Sequence, residues 1–189
     1  MTLANLWSLL YAAWGLFELF LLLRTRTRAN HGSLHDRGSL RLLWITICLS
    51  VLAAEFLRNN FETYTQHRTL AFSLVSISIM ILGLAIRATA VVTLGRAFSV
   101  NVAIRPGQSL YRAGLYRYLR HPSYLGSVLI FLAVGIAMRN PFSFLIMTIP
   151  PTVAILHRIR IEESALRLGF GSEYEAYSKQ SWRLIPFLY

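Results

Sequence analysis

Five apolar stretches decide what this 189-residue chain can become. Residues 3–23, 40–57, 70–94, 124–138 and 141–156 are dominated by aliphatic and aromatic side chains. A helix that crosses a bilayer needs about 20 such residues in a row. The last two stretches are short individually. They are joined by Arg139-Asn140-Pro141, a turn sequence, so they read as one helical hairpin. Pro150 and Pro151 lie inside the fifth stretch and should kink or break it, because neither can donate a backbone hydrogen bond. The carbonyls they free need partners within the protein, which turns that kink toward the interior.

Composition agrees. The chain is 55% hydrophobic and only 14% charged, where a soluble domain carries about 25% charged residues. A soluble enzyme and a disordered tail are therefore excluded. The single cysteine, Cys48, sits within an apolar stretch, which excludes a disulfide framework and a cysteine-based metal site. The reading is an all-α polytopic membrane bundle of about five transmembrane helices.

The 19 Lys and Arg outnumber the 8 Asp and Glu, a formal net charge of +11. Such an excess often points to nucleic acid, but here it alternates with the apolar stretches and reads as a topology signal. Arg24, Arg26, Arg28, Arg37 and Arg41 follow the first stretch. Arg96, Arg105, Arg112, Arg117 and Arg120 follow the third, and Arg158, Arg160, Arg167, Lys179 and Arg183 follow the fifth. With five spans these three segments share one face, and only Arg58, Arg68 and Arg139 fall on the other. The expected orientation is N-terminus outside and C-terminus cytosolic. The first stretch lacks a basic leader and a small-residue cleavage site, so it reads as a retained helix. The expected division is a scaffold over 1–95 and a working region over 96–189.

Two charges lie within the spans. Glu18 and Arg87 both fall one to two turns from the same face, and an intramembrane charge is costly unless paired. They are expected to form a structural pair. A role in lining a substrate path is the lesser alternative. Glu55, near the end of the second span, is expected to snorkel.

Polar residues with chemical potential gather in the C-terminal half. Arg120-His-Pro-Ser-Tyr-Leu-Gly126 places Pro122 in a first helical turn. His121 would then stand at a helix mouth whose N–H groups could take an anion, and Gly126 would allow close approach. An ordinary interfacial helix start is the plainer account, and spacing alone favours it. Arg158 and Glu162 are i,i+4 neighbours if the fifth helix runs on. They suit a surface ion pair, or a split site with Glu162 on an ammonium and Arg158 on a carboxylate, the guanidinium fork matching its two oxygens. Gly171 reads as a helix stop, and Ser172 with Glu175 as a capping box for a short helix. Tyr174 and Tyr177 would share a face at headgroup level, while Arg183-Leu-Ile-Pro186 docks back on the bundle. His31 and His35 share a spacing but lack a third ligand, so no metal is expected.

In order along the chain, Gly114-Leu-Tyr116, Arg120–Gly126, the Pro-bearing hairpin, Arg158 with Glu162-Glu163, Phe170-Gly-Ser-Glu-Tyr-Glu-Ala-Tyr177 and Arg183–Pro186 resemble the isoprenylcysteine carboxyl methyltransferase family. The resemblance covers about 95–189; the earlier spans match only as hydrophobic helices. It implies an integral membrane enzyme that uses S-adenosyl-L-methionine. The cofactor positions it carries over are Gln108, Ser109, Leu110, Tyr111, Tyr116, His121, Pro122, Ser123, Tyr124 and Glu162. Arg158 matches the arginine associated with the substrate carboxylate, and Asn101 a cofactor-side Gln of some members. Ser164 stands where relatives often have a third Glu. The implied acceptor is a lipophilic or prenylated substrate, foremost the carboxylate of an isoprenylcysteine. Alternatives are methylation of a phospholipid amine or a long-chain phenol or pyrone, for which Tyr116 or His121 would be the first proton acceptors. A non-catalytic membrane scaffold is a further alternative, and a reductase ranks last. The implied partners are the lipid bilayer and that acceptor, with no nucleic acid.

Overall fold

A computed structural model of the protein describes residues 3–24, 33–34, 38–61, 70–100, 103–104, 107 and 109–187. Its framework is α1 (Leu3–Arg24), α2 (Ser39–Asn60), α3 (Leu70–Leu94), α4 (Pro122–Met138), α5 (Pro141–Phe170) and α6 (Ser172–Lys179). Two residue pairs form a minimal antiparallel ladder, β1 (Ser33–Leu34) with β2 (Ala103–Ile104), which sequence reasoning did not expect. Among the described residues, α1, α2, α3 and α5 are long and apolar enough to cross a membrane. The fifth apolar helix, α4, has 17 residues, the lower limit for a span.

The expected hairpin is present. Arg139 takes a left-handed conformation after α4. Asn140 then caps α5, its side chain accepting from Phe142 N at 3.0 Å and Ser143 N at 3.1 Å. Asn140 Nδ2 also donates to Phe61 O, tying the turn to the end of α2. The expected break at Pro150-Pro151 is absent: α5 is one 30-residue helix that carries both prolines. Each proline forfeits one rung of the backbone ladder, but α2 and α4 pack along this helix, and Thr152 Oγ1 bonds the Thr148 carbonyl at 2.7 Å. Packing from both sides holds the helical path that local chemistry disfavours.

α4 is the central helix, packed between α3 and α5, and α2 covers the far side of α5. The α3–α4 crossing is close because glycine faces glycine. A Cβ at Gly126 would stand 2.6 Å from Gly83 O, and one at Gly83 would stand 2.8 Å from Gly126 O. The space expected beside Gly126 is therefore filled by a helix. α1 packs chiefly on α3. Glu55 pairs with Arg58 at 2.6 Å instead of simply snorkelling.

Past α5 the chain turns at Gly171, which has positive φ and is the residue capping α6. The expected capping box is absent, because α6 starts one residue early and Ser172 lies inside it. The final segment then returns to the bundle as expected. Leu119 and Trp182 form a parallel bridge, Arg120 N donates to Trp182 O at 2.8 Å, and His121 N donates to Arg183 O at 3.2 Å.

Candidate active site

A cavity opens near the start of α4 and the end of α3, and every one of the six helices lines it. Its polar end gathers Tyr116, His121, Ser123, Tyr124, Arg158 and Glu162. Ser109, Leu110 and Tyr111 also line it. Of the remaining residues expected there, Pro122 is buried beside the cavity without lining it. Gln108 and Asn101 lie outside the described residues, as do His31 and His35.

The residues come together for local reasons. The 3-10 turn over Gly114–Arg117 buries the Tyr116 ring, whose hydroxyl donates to Ala90 O at 3.3 Å on α3. Tyr111 meets that ring edge-on at 5.9 Å. Burial pushes the Tyr116 phenol well above the ordinary value, with the Glu162 charge adding to it. A phenol so placed stays protonated and donates, which removes it as a ready proton acceptor.

Arg158 is 2% exposed, so a surface ion pair is excluded. Its guanidinium is held by Tyr124 Oη at 2.8 Å, Ser39 Oγ at 2.7 Å and the Val100 carbonyl. These contacts hold the guanidinium in the cavity wall. Glu162, one turn on, keeps about a third of its side chain exposed, and His121 Nδ1 lies 4.0 Å from its Oε2.

The helix mouth is more closed than the sequence suggests. His121 N–H is used by Arg183 O, and the Tyr124 and Leu125 N–H groups both fold onto His121 O at 3.1 Å. Side chains, not a row of free amides, therefore define the polar end.

Glu163 was missed by sequence reasoning as a structural centre. It is 2% exposed, and Arg120 Nε and Arg183 Nε each reach its Oε1 at 3.1 Å. Arg183 Nη2 lies 2.9 Å from Oε2, and Arg167 Nη2 lies at 3.9 Å. His121 Nε2 stands 3.5 Å away and makes no hydrogen bond among the described residues. Arg120 also donates to the carbonyls of Ser178 and Ser181. The carboxylate thus fastens the tail beneath His121. The available signal was a second Glu beside Glu162 in a segment rich in arginine.

Tyr174 and Tyr177 do share a face of α6, but they are buried instead of lying at headgroup level. Tyr177 Oη donates to Tyr116 O at 2.6 Å, and burial pushes its phenol up to about 12. Tyr174 is 0% exposed and lines the cavity, and its hydroxyl has no hydrogen-bond partner among the described residues. An unmet buried donor costs about 1–3 kcal/mol.

Below the polar end the cavity becomes apolar, walled by Leu43, Trp44 and Ile47 of α2, Phe131 of α4 and Ile155 of α5. The expected Glu18–Arg87 pair stands in its wall. Arg87 Nε and Nη2 bond the two Glu18 oxygens at 2.6 and 2.8 Å. Arg87 Nη1 reaches Ser123 Oγ at 2.9 Å and Ser123 O at 3.2 Å.

Residues 75–168 match the model of the isoprenylcysteine carboxyl methyltransferase (ICMT) family. The match covers 94 of the chain's 189 residues. A probable protein-S-isoprenylcysteine O-methyltransferase of Oryza sativa subsp. indica is 34% identical over 118 residues, 61% of this chain and 62% of that protein. Protein-S-isoprenylcysteine O-methyltransferase B of Arabidopsis thaliana is 31% identical over 59% of this chain and 58% of its own length. A solved structure of the eukaryotic intramembrane Ras methyltransferase ICMT aligns with a TM-score of 0.61 and 28% identity, covering 76% of this chain and 52% of that one. The chain thus spans less than two thirds of the length of the relatives it matches. The family match and the apolar helices make it an integral membrane protein. The stretch shared with the ICMT family includes Arg87, Tyr116, His121, Tyr124, Arg158, Glu162 and Glu163; α1, α2 and the tail fall outside it.

Proposed function

We propose that this chain is a membrane-embedded methyltransferase that transfers a methyl group from S-adenosylmethionine to the carboxylate of an isoprenylcysteine or a similar prenylated acceptor. The observation that carries this reading is one cavity with two characters: a polar end with Arg158 and Glu162, continuous with an apolar limb between helices. An acceptor with a small anionic head and a long hydrocarbon tail matches both ends at once. The names of the relatives support the same chemistry.

The donor set suits the cofactor. Glu162 offers a partly exposed carboxylate to an ammonium, and the buried Tyr174 hydroxyl offers an unused hydrogen bond. Tyr111 and Tyr116 offer ring faces to a sulfonium. Ser109, Leu110, His121, Ser123 and Tyr124 complete its walls, with Gln108 and Pro122 proposed as flanking contacts. Bound there, S-adenosylmethionine supplies an electrophilic methyl group. The protein's own contribution is placement, because in-line approach accounts for much of the rate of such a transfer.

Arg158 is proposed to orient the acceptor. Its planar fork can donate two parallel hydrogen bonds to a carboxylate, which fixes the orientation of the head as well as binding it. A free α-carboxyl titrates at about 3.3–3.7 and is already ionised at neutral pH. The reaction then needs no general base, which fits a site where the Tyr116 phenol is held protonated. The proposed orientation puts the polar end and the C-terminus in the cytosol, with 1–95 as scaffold and 96–189 as the catalytic region.

The test is methyl transfer from labelled S-adenosylmethionine by detergent-purified protein, with a prenylcysteine analogue beside phosphatidylethanolamine. Turnover of the prenylcysteine alone is expected. Arg158→Ala should keep cofactor affinity and lose at least about a hundredfold in kcat/KM, as expected for a lost charged contact. Turnover of phosphatidylethanolamine alone would overturn the acceptor, and unchanged turnover in Arg158→Ala would remove its role.

A further inference from the structure

The end of the bundle away from the active-site cavity carries a cavity of its own, about 310 Å³ in volume. It lies at the starts of α1 and α3 and the ends of α2 and α4. Trp7 and Tyr11 of α1 and Phe72 of α3 give it three aromatic rings, while Glu55, Arg58 and Arg139 give it both signs of charge. Trp7 is buried and meets Tyr11 at a tilt, with ring centroids 5.1 Å apart. Aromatic side chains are ordinary at a membrane–water boundary; here they share a cavity with charges. Of Arg58, Arg68 and Arg139, the arginines expected at this end, the first and the last line this one cavity.

Arg58 Nη2 lies 2.6 Å from Glu55 Oε2, with the two side chains 39% and 42% exposed. An ion pair this exposed contributes little to stability, so each partner can exchange the other for an opposite charge on a ligand at small cost. Arg139 reaches the cavity from an uncommon backbone. It ends α4 in the left-handed conformation, with φ 56°, where glycine is the usual residue because a side chain strains the turn. Glycine would close the turn between α4 and α5 more easily; arginine instead brings a half-buried guanidinium to the cavity. A ligand matched to this set carries an anion for the guanidinium groups. It also carries a cation for a carboxylate beside ring faces, which attract ammonium groups.

We propose that this cavity binds the headgroup of a zwitterionic phospholipid, its phosphate on Arg58 and Arg139 and its ammonium beside Glu55 and the rings of Trp7, Tyr11 and Phe72. The lipid comes from the leaflet opposite the one that meets the polar end of the active-site cavity. Basic pockets between membrane helices bind lipid headgroups through the phosphate, and the acidic partner selects a zwitterion over an anionic lipid. α1 leans chiefly on α3, so a headgroup held between the start of α1 and the end of α2 adds a tie between those two helices. The proposal is independent of the identity of the methyl acceptor.

The experiment titrates the delipidated protein, in a maltoside detergent, with phosphatidylcholine or with phosphatidylglycerol of the same acyl chains, and follows thermal unfolding. Phosphatidylcholine suits the test because its nitrogen is already fully methylated and cannot accept another methyl group. It should raise the melting temperature saturably, since a ligand of the folded state alone stabilises that state. It should also bind about tenfold more tightly than phosphatidylglycerol, on the scale of a partly desolvated cation–π contact. Arg139→Gly should weaken phosphatidylcholine binding at least about tenfold, the loss expected for a hydrogen bond to a charged group. Its lipid-free melting temperature should stay equal or rise, because glycine suits the left-handed turn. A purely structural Arg139 would show the reverse, a lower melting temperature with unchanged lipid affinity. Glu55→Gln should erase the preference for phosphatidylcholine over phosphatidylglycerol, and it tests the site even where Arg139→Gly does not fold. Equal affinity of wild type for the two lipids, unchanged phosphatidylcholine affinity in Arg139→Gly, or glycerophosphocholine binding as tightly as the intact lipid would overturn the proposal.

Discussion

Glu18 and Glu163 are both buried carboxylates paired with arginine, yet they are built on different plans. Glu18 meets one arginine, Arg87, in a two-point grip among α1, α3 and α4 within the apolar part of the bundle. Glu163 stands at the polar end and collects Arg120 and Arg183 closely and Arg167 at longer range. The first is a single ion pair among the described residues, backed only by neutral bonds from Trp14 to Glu18 and from Arg87 to Ser123. The second joins segments far apart in sequence, α5, the loop before α4 and the tail, through one acceptor. Burying charge is expensive in either place, but only the second is arranged to survive the loss of a single arginine.

That contrast can be broken experimentally. Glu163→Ala should have the largest effect, because it removes the buried carboxylate that Arg120 and Arg183 share. A loss of about 3–5 kcal/mol is expected, the usual penalty for breaking a buried pair. Limited proteolysis should then release the segment after α6 while α1 to α4 stay protected. Tail protection equal to wild type would mean that the backbone bridge at Leu119 and Trp182 suffices. Arg87→Met and Glu18→Gln should each destabilise by a similar or slightly smaller amount, whereas the double variant should be milder than the worse single, since no uncompensated charge remains. Additive losses in thermal unfolding would contradict the pair as drawn. Arg167→Ala should cost least, within about 1 kcal/mol, since its contact is long and half exposed. A large loss there would place Arg167 among the principal partners of Glu163.

The same contrast explains what could be read from the chain beforehand. Glu18 and Arg87 were legible as a pair because each is conspicuous in an apolar run, and cost alone matches them. Glu163 was not, because Glu162 beside it has the same chemistry and periodicity cannot tell which of two adjacent carboxylates turns inward. Its partners Arg120 and Arg183 are 43 and 20 residues away, a proximity created only by tertiary folding. The spans and the hairpin followed from hydropathy and from Asn140 as a cap. The unbroken passage of α5 through Pro150-Pro151 did not, since packing by α2 and α4 outweighs local propensity. α6 shows the same limit: the spacing of Tyr174 and Tyr177 fixes a shared face but not whether that face meets lipid or the cavity. The site residues gathered from motifs spread over 109–162 because one helix mouth, one 3-10 turn and one long helix converge there. Of the amides expected to be free at that mouth, His121 N–H was lost to a tail whose docking could not be foreseen, and those of Tyr124 and Leu125 to the His121 carbonyl.

The central claim is that the polar end of the cavity binds S-adenosylmethionine through Glu162. Calorimetry on detergent-purified protein, wild type beside Glu162→Ala, tests it most directly, with no acceptor required. Micromolar binding by wild type and at least a tenfold loss in the variant, about 1.4 kcal/mol, is the predicted result. No binding by folded wild type, or equal affinity in the two proteins, would contradict it.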